Sequence, residues 1–308
     1  MKDKIILVLG GTGHYGRHIV KSLLAKDVHV RVLTRNSVKA KRILGERPEF
    51  IEGDIQDPES IRTGLKGADG LVIAVSAFAP ATIRQLKAIE QDAVIAALQA
   101  ASELGVKRVV YISVFEVNRE FALKYKLAAA NEKAAVEEWL KGSTLNWTVL
   151  GAPPSMEIFF SMIRGSRMIV PGGGPEALPT ISPADVGEIA AQASLRTDLS
   201  GKRLKMVGPD APSFPGAAKR ISAVWGKKIG FLKIPLILPM TIRPLIGLLS
   251  LFSKRLCFVY NLLGYVRLLN NFPQSYAAQV PNLHQELRLL FKYVPTTLEM
   301  EAEARKKV

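Results

Sequence analysis

Between the apolar run Ile5 to Leu9 and the helical stretch Arg17 to Ala25 stands Gly10-Gly11-Thr12-Gly13-His14-Tyr15-Gly16. A strand must turn sharply into a helix there. Only residues without a Cβ let backbone N–H groups approach a pyrophosphate at the positive end of a helix. The glycines fit G-x-x-G-x-x-G from Gly10 and G-x-G-x-x-G from Gly11. A tight turn with no ligand is the competing reading, and the strand before and the helix after weigh against it. Gly10, Thr12, Gly13, His14, Tyr15 and Gly16 are therefore candidate phosphate-side residues. His14 and Tyr15 read as backbone beside a cofactor rather than as an acid and a base.

The second strand-like run, Val28 to Leu33, ends in Thr34-Arg35-Asn36 with no acid. A site for an unphosphorylated ribose places Asp or Glu in this region, whereas an Arg pairs with a 2′-phosphate. Arg35 thus argues for NADP(H). Lys39, Lys41 and Arg42 follow and make that end positive, although a solvated helix face explains them as well.

A chain of 308 residues is long enough for a well-formed core without disulfides, and the lone Cys257 has no partner within it. Met1 leads through Lys2, Asp3 and Lys4 into the first strand, so no signal peptide is expected. The expected location is the cytoplasm, with attachment to the inner face of the membrane as the variant. Charge is uneven: residues 1–200 hold 25 Lys/Arg against 22 Asp/Glu, and residues 201–308 hold 17 against 5. A basic block of this kind suits an anionic lipid, a nucleic acid or a basic interface.

Strand-like runs at Lys4 to Leu9, Val28 to Thr34, Glu49 to Glu52, Gly70 to Ser76, Arg108 to Ser113 and Thr144 to Leu150 alternate with helical ones. Among the latter are Ala-rich stretches at Thr82 to Leu104 and Phe121 to Lys141. This alternation predicts an α/β, Rossmann-like doubly wound parallel sheet with a smaller, mostly helical C-terminal lobe. The expected division is 1–150 for the NAD(P)-binding domain, 151–230 for a substrate-side lobe partly returning to the sheet, and 231–308 for a basic apolar helical extension. Gly172-Gly173-Gly174-Pro175 marks a turn, and Ser182-Pro183 starts a helix at Pro183. Thr296 and Glu299 have capping-box spacing before the last helix.

With its V-L-G-G-T-G-H-Y-G opening, the T-R-N after the second strand, Glu52-Gly53-Asp54 with Asp57, and Gly105-Val106-Lys107-Arg108-Val109-Val110-Tyr111-Ile112-Ser113, the chain resembles the atypical short-chain dehydrogenase/reductases of the NmrA-like, NAD(P)H-binding group. The resemblance covers about residues 4–208. It implies that Asp54 and Ile55 lie near the adenine and that Ala74, Val75 and Ser76 line the cofactor. The plainer readings are a turn residue for Asp54 and a strand end for Ser76.

The family's usual catalytic pair is a Tyr four residues before a Lys. Lys133 stands where that lysine belongs, but Ala129 occupies the tyrosine position. Tyr125 is eight residues back, about 12 Å along a helix at about 1.5 Å per residue, so it is no substitute. The resemblance leaves Lys133, to hold the nicotinamide ribose or orient a carbonyl, and Ser113 at the end of the fifth strand as candidate catalytic residues. No His pair has metal-ligand spacing and no metal is expected. No G-x-S-x-G elbow occurs, which sets aside a serine hydrolase. Glu157 reads equally as a substrate-facing or a surface carboxylate.

Ile234 to Phe252 is nearly all apolar and almost long enough to span a bilayer. Arg243, Pro239 and Pro244 nevertheless make insertion unfavourable by about 3 kcal/mol. A broken helix lying on a surface is expected instead, followed by a second apolar run, Leu256 to Leu269, edged by Lys254, Arg255 and Arg267. Three roles stay open for 231–270: contact with an anionic membrane surface, a lid over a small hydrophobic substrate, or a homodimer interface. Nucleic acid is disfavoured because the cations interleave with aliphatic rather than stacking side chains. Two functions follow: an NADPH-dependent reductase or isomerase of a hydrophobic carbonyl or enone, and a non-catalytic NADP(H)-binding redox sensor or accessory subunit.

Overall fold

The structure is a computed structural model that describes residues 4–116, 127–174 and 177–306. From the amino end the chain forms β1 (Ile5–Leu9), α1 (Gly16–Leu24), β2 (His29–Thr34), α2 (Ser37–Leu44), β3 (Glu49–Glu52), α3 (Pro58–Leu65) and β4 (Gly70–Ile73). After a short 3-10 turn and a π-helical segment, Lys87–Asp92, come α4 (Ala93–Glu103), β5 (Arg108–Val114), α5 (Ala128–Lys141) and β6 (Trp147–Ala152). The chain then leaves the sheet for α6 (Glu157–Ser161), β7 (Ile163–Arg164) and β8 (Arg167–Pro171). It rejoins the sheet through α7 (Pro183–Ser194) and β9 (Lys202–Lys205).

Seven strands make one parallel sheet in the order β3-β2-β1-β4-β5-β6-β9. This is the doubly wound, Rossmann-like sheet that the alternating pattern predicts. The central strands are apolar on both faces because helices cover both: β1 and β4 are buried almost throughout. Local chemistry sets the helix starts. Asn36 accepts the Lys39 N–H at 2.8 Å to cap α2, and Asp57 caps α3 just ahead of Pro58 at its first turn. At Gly187 α7 comes so close to α1 that a Cβ there would lie 2.6 Å from the His18 carbonyl.

Two segments around the end of β4 depart from their sequence-based expectation. The Thr82 to Leu104 stretch is not one helix but a 3-10 turn, a π segment and α4. The π turn puts Glu90 on the buried side together with Ile89. Strand β4 stops at Ile73 rather than Ser76, because the Val75 carbonyl and the Ala77 N–H are taken by side chains instead of the ladder.

The chain divides into two compact units, the first holding the described part of residues 1–122 with 128–152 and 186–205, the second holding 153–185 and the residues from 206 onward. In the second unit β8 lies between β10 (Gly230–Ile234), parallel, and β7, antiparallel. Its remaining helices are α8 (Phe214–Trp225), α9 (Ile237–Thr241), α10 (Arg243–Leu249), α11 (Lys254–Asn270), α12 (Gln274–Ala278), α13 (Val280–Leu290) and α14 (Leu298–Lys306). The core gathers Phe159, Phe214, Met168, Ile221 and Leu298, with the Phe159 and Phe214 rings edge to face at 5.1 Å. Within the apolar run Ile234 to Phe252, the first residue ends β10 and Ile237–Leu249 is a broken helix, interrupted between α9 and α10. Thr296 does not cap the last helix. Thr297 does, through its hydroxyl and the Met300 N–H, while Thr296 donates from its N–H and Oγ1 to buried Asp185. Burial raises the Asp185 carboxyl, and these two hydrogen bonds partly offset it.

Arg220 of α8 clasps α14 through Glu299 and also meets Asp210. Hydrogen bonds from Arg220 hold the Glu299 carboxyl at about 2, below its usual 4.5. A carboxyl lowered on folding contributes stability that is complete above pH 4.5 and lost as pH falls toward 2. Replacing Arg220→Met should flatten the stability loss in that window, read by thermal melts. The pair is partly exposed, so the difference should be about 1 kcal/mol or less.

Candidate cofactor and active site

In the first unit β1 leads to β2 and β3 on one side, and β4 then begins the other half on the opposite side of β1. The carboxyl ends of β1 and β4 therefore flank a topological switch point, where open α/β sheets bind ligands. The Gly10 to Gly16 turn lies there. Gly10 has φ +79°, and a Cβ on it would sit 2.5 Å from the Ala74 carbonyl oxygen. The Gly13 N–H donates to the Gly10 carbonyl at 2.9 Å, and a Cβ on Gly16 would come within 2.0 Å of the same oxygen. Side chains are thus excluded by backbone on the inner side of the turn. Helix α1 starts at once, with no acid in its first turn to neutralise its positive end. Thr12 and Gly13 are half-buried in the turn, His14 is exposed, and the His14 and Tyr15 rings lie 4.8 Å apart.

Arg35 follows β2, is exposed, and takes part in no ion pair among the described residues. An acid does reach this neighbourhood from the adjacent strand. Glu52, paired with Thr34 in the β2–β3 register, accepts hydrogen bonds from the Ser37 N–H and hydroxyl, which lower its carboxyl. Asp54 follows β3 and folds its carboxylate onto the Gln56 N–H at 2.9 Å in a turn. Ile55 lines a groove of about 430 Å³ with Pro58, Ile61, Arg62 and Ala93. Ala74, Val75 and Ser76 follow β4, the first two half-buried and Ser76 exposed. Because the sheet is parallel, all of these groups sit along its carboxyl edge. The bare glycine backbone, the unneutralised helix end and the unpaired Arg35 fit a dinucleotide.

Lys133 is buried, not a solvated charge on the helix surface. Its ammonium lies 3.2 Å from the Val75 carbonyl oxygen, 3.4 Å from that of Ile112 and 3.3 Å from Oε2 of Glu90. It also stands 5.3 Å above the centre of the Tyr111 ring. Glu90 is wholly buried. Its other oxygen accepts the Ala77 N–H at 2.6 Å and the Ser76 hydroxyl at 3.4 Å. One buried ion pair therefore ties the segment after β4 to β5, α5 and the π turn. Ser113 is buried on β5, and its hydroxyl has no hydrogen-bonding partner among the described residues. The Tyr111 hydroxyl is likewise buried with no partner among the described residues, and burial followed by the nearby Glu90 and Glu137 carboxylates raises it well above 10. Ala129 is buried one turn before Lys133, and Tyr125 lies outside the described residues.

Sequence reasoning missed Glu90 and Tyr111. Glu90 had a signal: it falls on the stripe Ile83, Leu86, Val94 and Ala97, where an acid breaks an otherwise apolar helical face. Glu157, left open above, forms an ion pair with Arg305 of α14 at 2.7 Å.

Sheet order, glycine turn and switch point together define a dinucleotide-binding Rossmann protein. A family model described as NAD(P)H-binding matches residues 10–196, and the chain belongs to that family. Its curated relatives include the photosystem II assembly factor Ycf39 of Guillardia theta, 27% identical over 261 residues, spanning 82% of this chain and 81% of that one. Among solved structures, the NADPH-dependent quinone oxidoreductase of Escherichia coli complexed with NADPH has a TM-score of 0.69 at 19% identity. That match covers 97% of this chain and 99% of the other. NmrA, a negative transcriptional regulator in complex with NAD, has a TM-score of 0.69 at 15% identity, covering 98% and 95%. These likenesses bear out the resemblance to NmrA-like reductases in fold.

The Glu90–Lys133 pair makes a stability prediction. Lys133→Met leaves a buried carboxylate without its cation and should cost about 3 to 5 kcal/mol. The double substitution Glu90→Gln/Lys133→Met should regain most of that, as read by denaturant unfolding. A single-variant cost below about 1 kcal/mol would mean that the pair is not a structural clasp.

Proposed function

We propose that this chain is an NADPH-dependent reductase of a hydrophobic carbonyl or enone compound. The observation that carries the reading is the buried, unpartnered Ser113 hydroxyl at the carboxyl end of β5, on the sheet edge where the glycine turn and the Lys133 ammonium also lie. When bound, NADPH supplies a hydride. The glycine-turn N–H groups and the start of α1 hold the pyrophosphate, and Arg35 pairs with the 2′-phosphate. Asp54 and Ile55 stand toward the adenine, and Ala74, Val75 and Ser76 line the cofactor. Ser113 donates a hydrogen bond to the reacting oxygen, and the Lys133 charge favours negative charge developing there. With Ala129 at the tyrosine position, water delivers the proton. The name of the E. coli structural neighbour, a quinone oxidoreductase, agrees with a hydrophobic conjugated acceptor.

A second reading, a non-catalytic NADP(H)-binding sensor or accessory subunit, has its own observation. The Lys133 ammonium donates to the Val75 and Ile112 carbonyls and forms an ion pair with Glu90, so the lysine positions Val75 and the end of β5 without reaching a substrate. The names of NmrA, a regulator, and Ycf39, an assembly factor, agree with it.

Calorimetry should find NADPH bound more than tenfold tighter than NADH. Arg35→Ala should remove the difference, as the loss of one charge-assisted hydrogen bond of about 1.5 to 3 kcal/mol requires. Equal affinities for the two cofactors would reject the role of Arg35. Across a panel of hydrophobic ketones and enones, NADPH oxidation should be measurable and should fall about a hundredfold in Ser113→Ala with cofactor affinity unchanged. Tight NADPH binding with no turnover on the whole panel would select the sensor.

A further inference from the structure

We propose that α9, α10 and the turn into α11 form a surface that lies on an anionic lipid bilayer. Helix α10 is inside out. Its one buried residue is Arg243, whose guanidinium stacks 4.5 Å above the Tyr260 ring and donates to the Tyr260 carbonyl at 3.4 Å. The helix approaches α11 at Gly247, where a Cβ would meet the same ring at 3.0 Å. The opposite face carries Ile242, Leu245, Leu248 and Leu249, all exposed at helical spacing. Ile237 before it is 78% exposed and Phe252 after it 83%. Scattered apolar residues on a surface need no explanation, whereas a helix that hides its cation and presents its leucines does.

Charge identifies the occupant. From residue 211 to 285 the sequence contains no Asp or Glu and nine Lys or Arg. Lys254 and Arg255 open α11, the end of a helix where its dipole disfavours cations, with no acid in the first turn. They stand directly beyond Phe252 and are exposed. Lys233 is exposed on β10, where Phe231, Leu232 and Ile234 are also exposed. Arg243 and Arg267 line a groove of about 410 Å³ with Leu236, Met240, Pro244 and Tyr260, a place for an anionic headgroup at the root of the apolar ridge. Apolar side chains rimmed by uncompensated cations match the boundary between acyl chains and negative headgroups. No helix among the described residues is long and apolar enough to cross a membrane, so the contact lies along the surface.

The test uses the full chain and sedimentation with vesicles of phosphatidylcholine alone or with a third of it replaced by phosphatidylglycerol. The protein should pellet with the anionic vesicles only and be released by salt. Lys254→Gln/Arg255→Gln should weaken binding about thirtyfold, the equivalent of about 1 kcal/mol per cation. Leu248→Ser/Phe252→Ser should abolish it while the thermal midpoint and NADPH affinity stay unchanged, since both positions are exposed. Equal binding to both vesicles, or to neither, overturns the proposal. So does a dimer in solution that the serine substitutions dissociate, which would show that a second copy covers this face.

Discussion

The close approach of the glycine turn to its own first residue governs the amino-terminal unit. The Gly10 carbonyl accepts the Gly13 N–H and lies where a side chain on Gly16 would have to be, while Gly10 itself passes the Ala74 carbonyl with φ +79°. No L-residue with a Cβ satisfies those approaches without moving backbone. Because the turn is this tight, α1 begins directly at the carboxyl end of β1 and aims its positive end across the switch point. The carboxyl ends of β2 to β5 then bring Arg35, Asp54, Val75 and Ser113 to one edge of the same sheet.

The Glu90–Lys133 pair does for the other half of that edge what the glycines do for the first. The Val75 carbonyl and Ala77 N–H leave the β ladder after Ile73 and need partners, since a buried backbone polar group left unmade is costly. Lys133 supplies a donor to one and Glu90 an acceptor to the other, and each satisfies the other's charge. The π turn is the geometry by which an acid on an apolar stripe reaches inward. Lys133 is accordingly a clasp as well as a positive charge at the edge of the site.

Much of this was legible in the chain. Strand positions, the parallel order and the glycine turn follow from periodicity and from the absence of Cβ atoms, which act locally. The start of α7 at Pro183 and the broken helix between Ile234 and Phe252 also follow from local backbone rules. Thr296 misled because capping spacing is shared by neighbours: Thr297 takes the cap, and Thr296 is drawn off by Asp185, 111 residues away. Glu90 marks itself only as an acid on an otherwise apolar helical stripe, and nothing within its own segment shows that the Ala77 N–H needs it.

The sequence by itself determined the class of sheet, the glycine turn after β1, the cationic Arg35 after β2 and the alanine four residues before Lys133. Each depends on residues a few positions apart, whose spacing sets their geometry. Tertiary structure alone decided that Lys133 is buried and paired with Glu90. It alone decided that Ser113 is left without a partner among the described residues, and that Arg243 turns inward while the leucines beside it turn out. Those outcomes depend on which distant groups compete for the same donors, acceptors and apolar surface, and that competition exists only once the chain has folded.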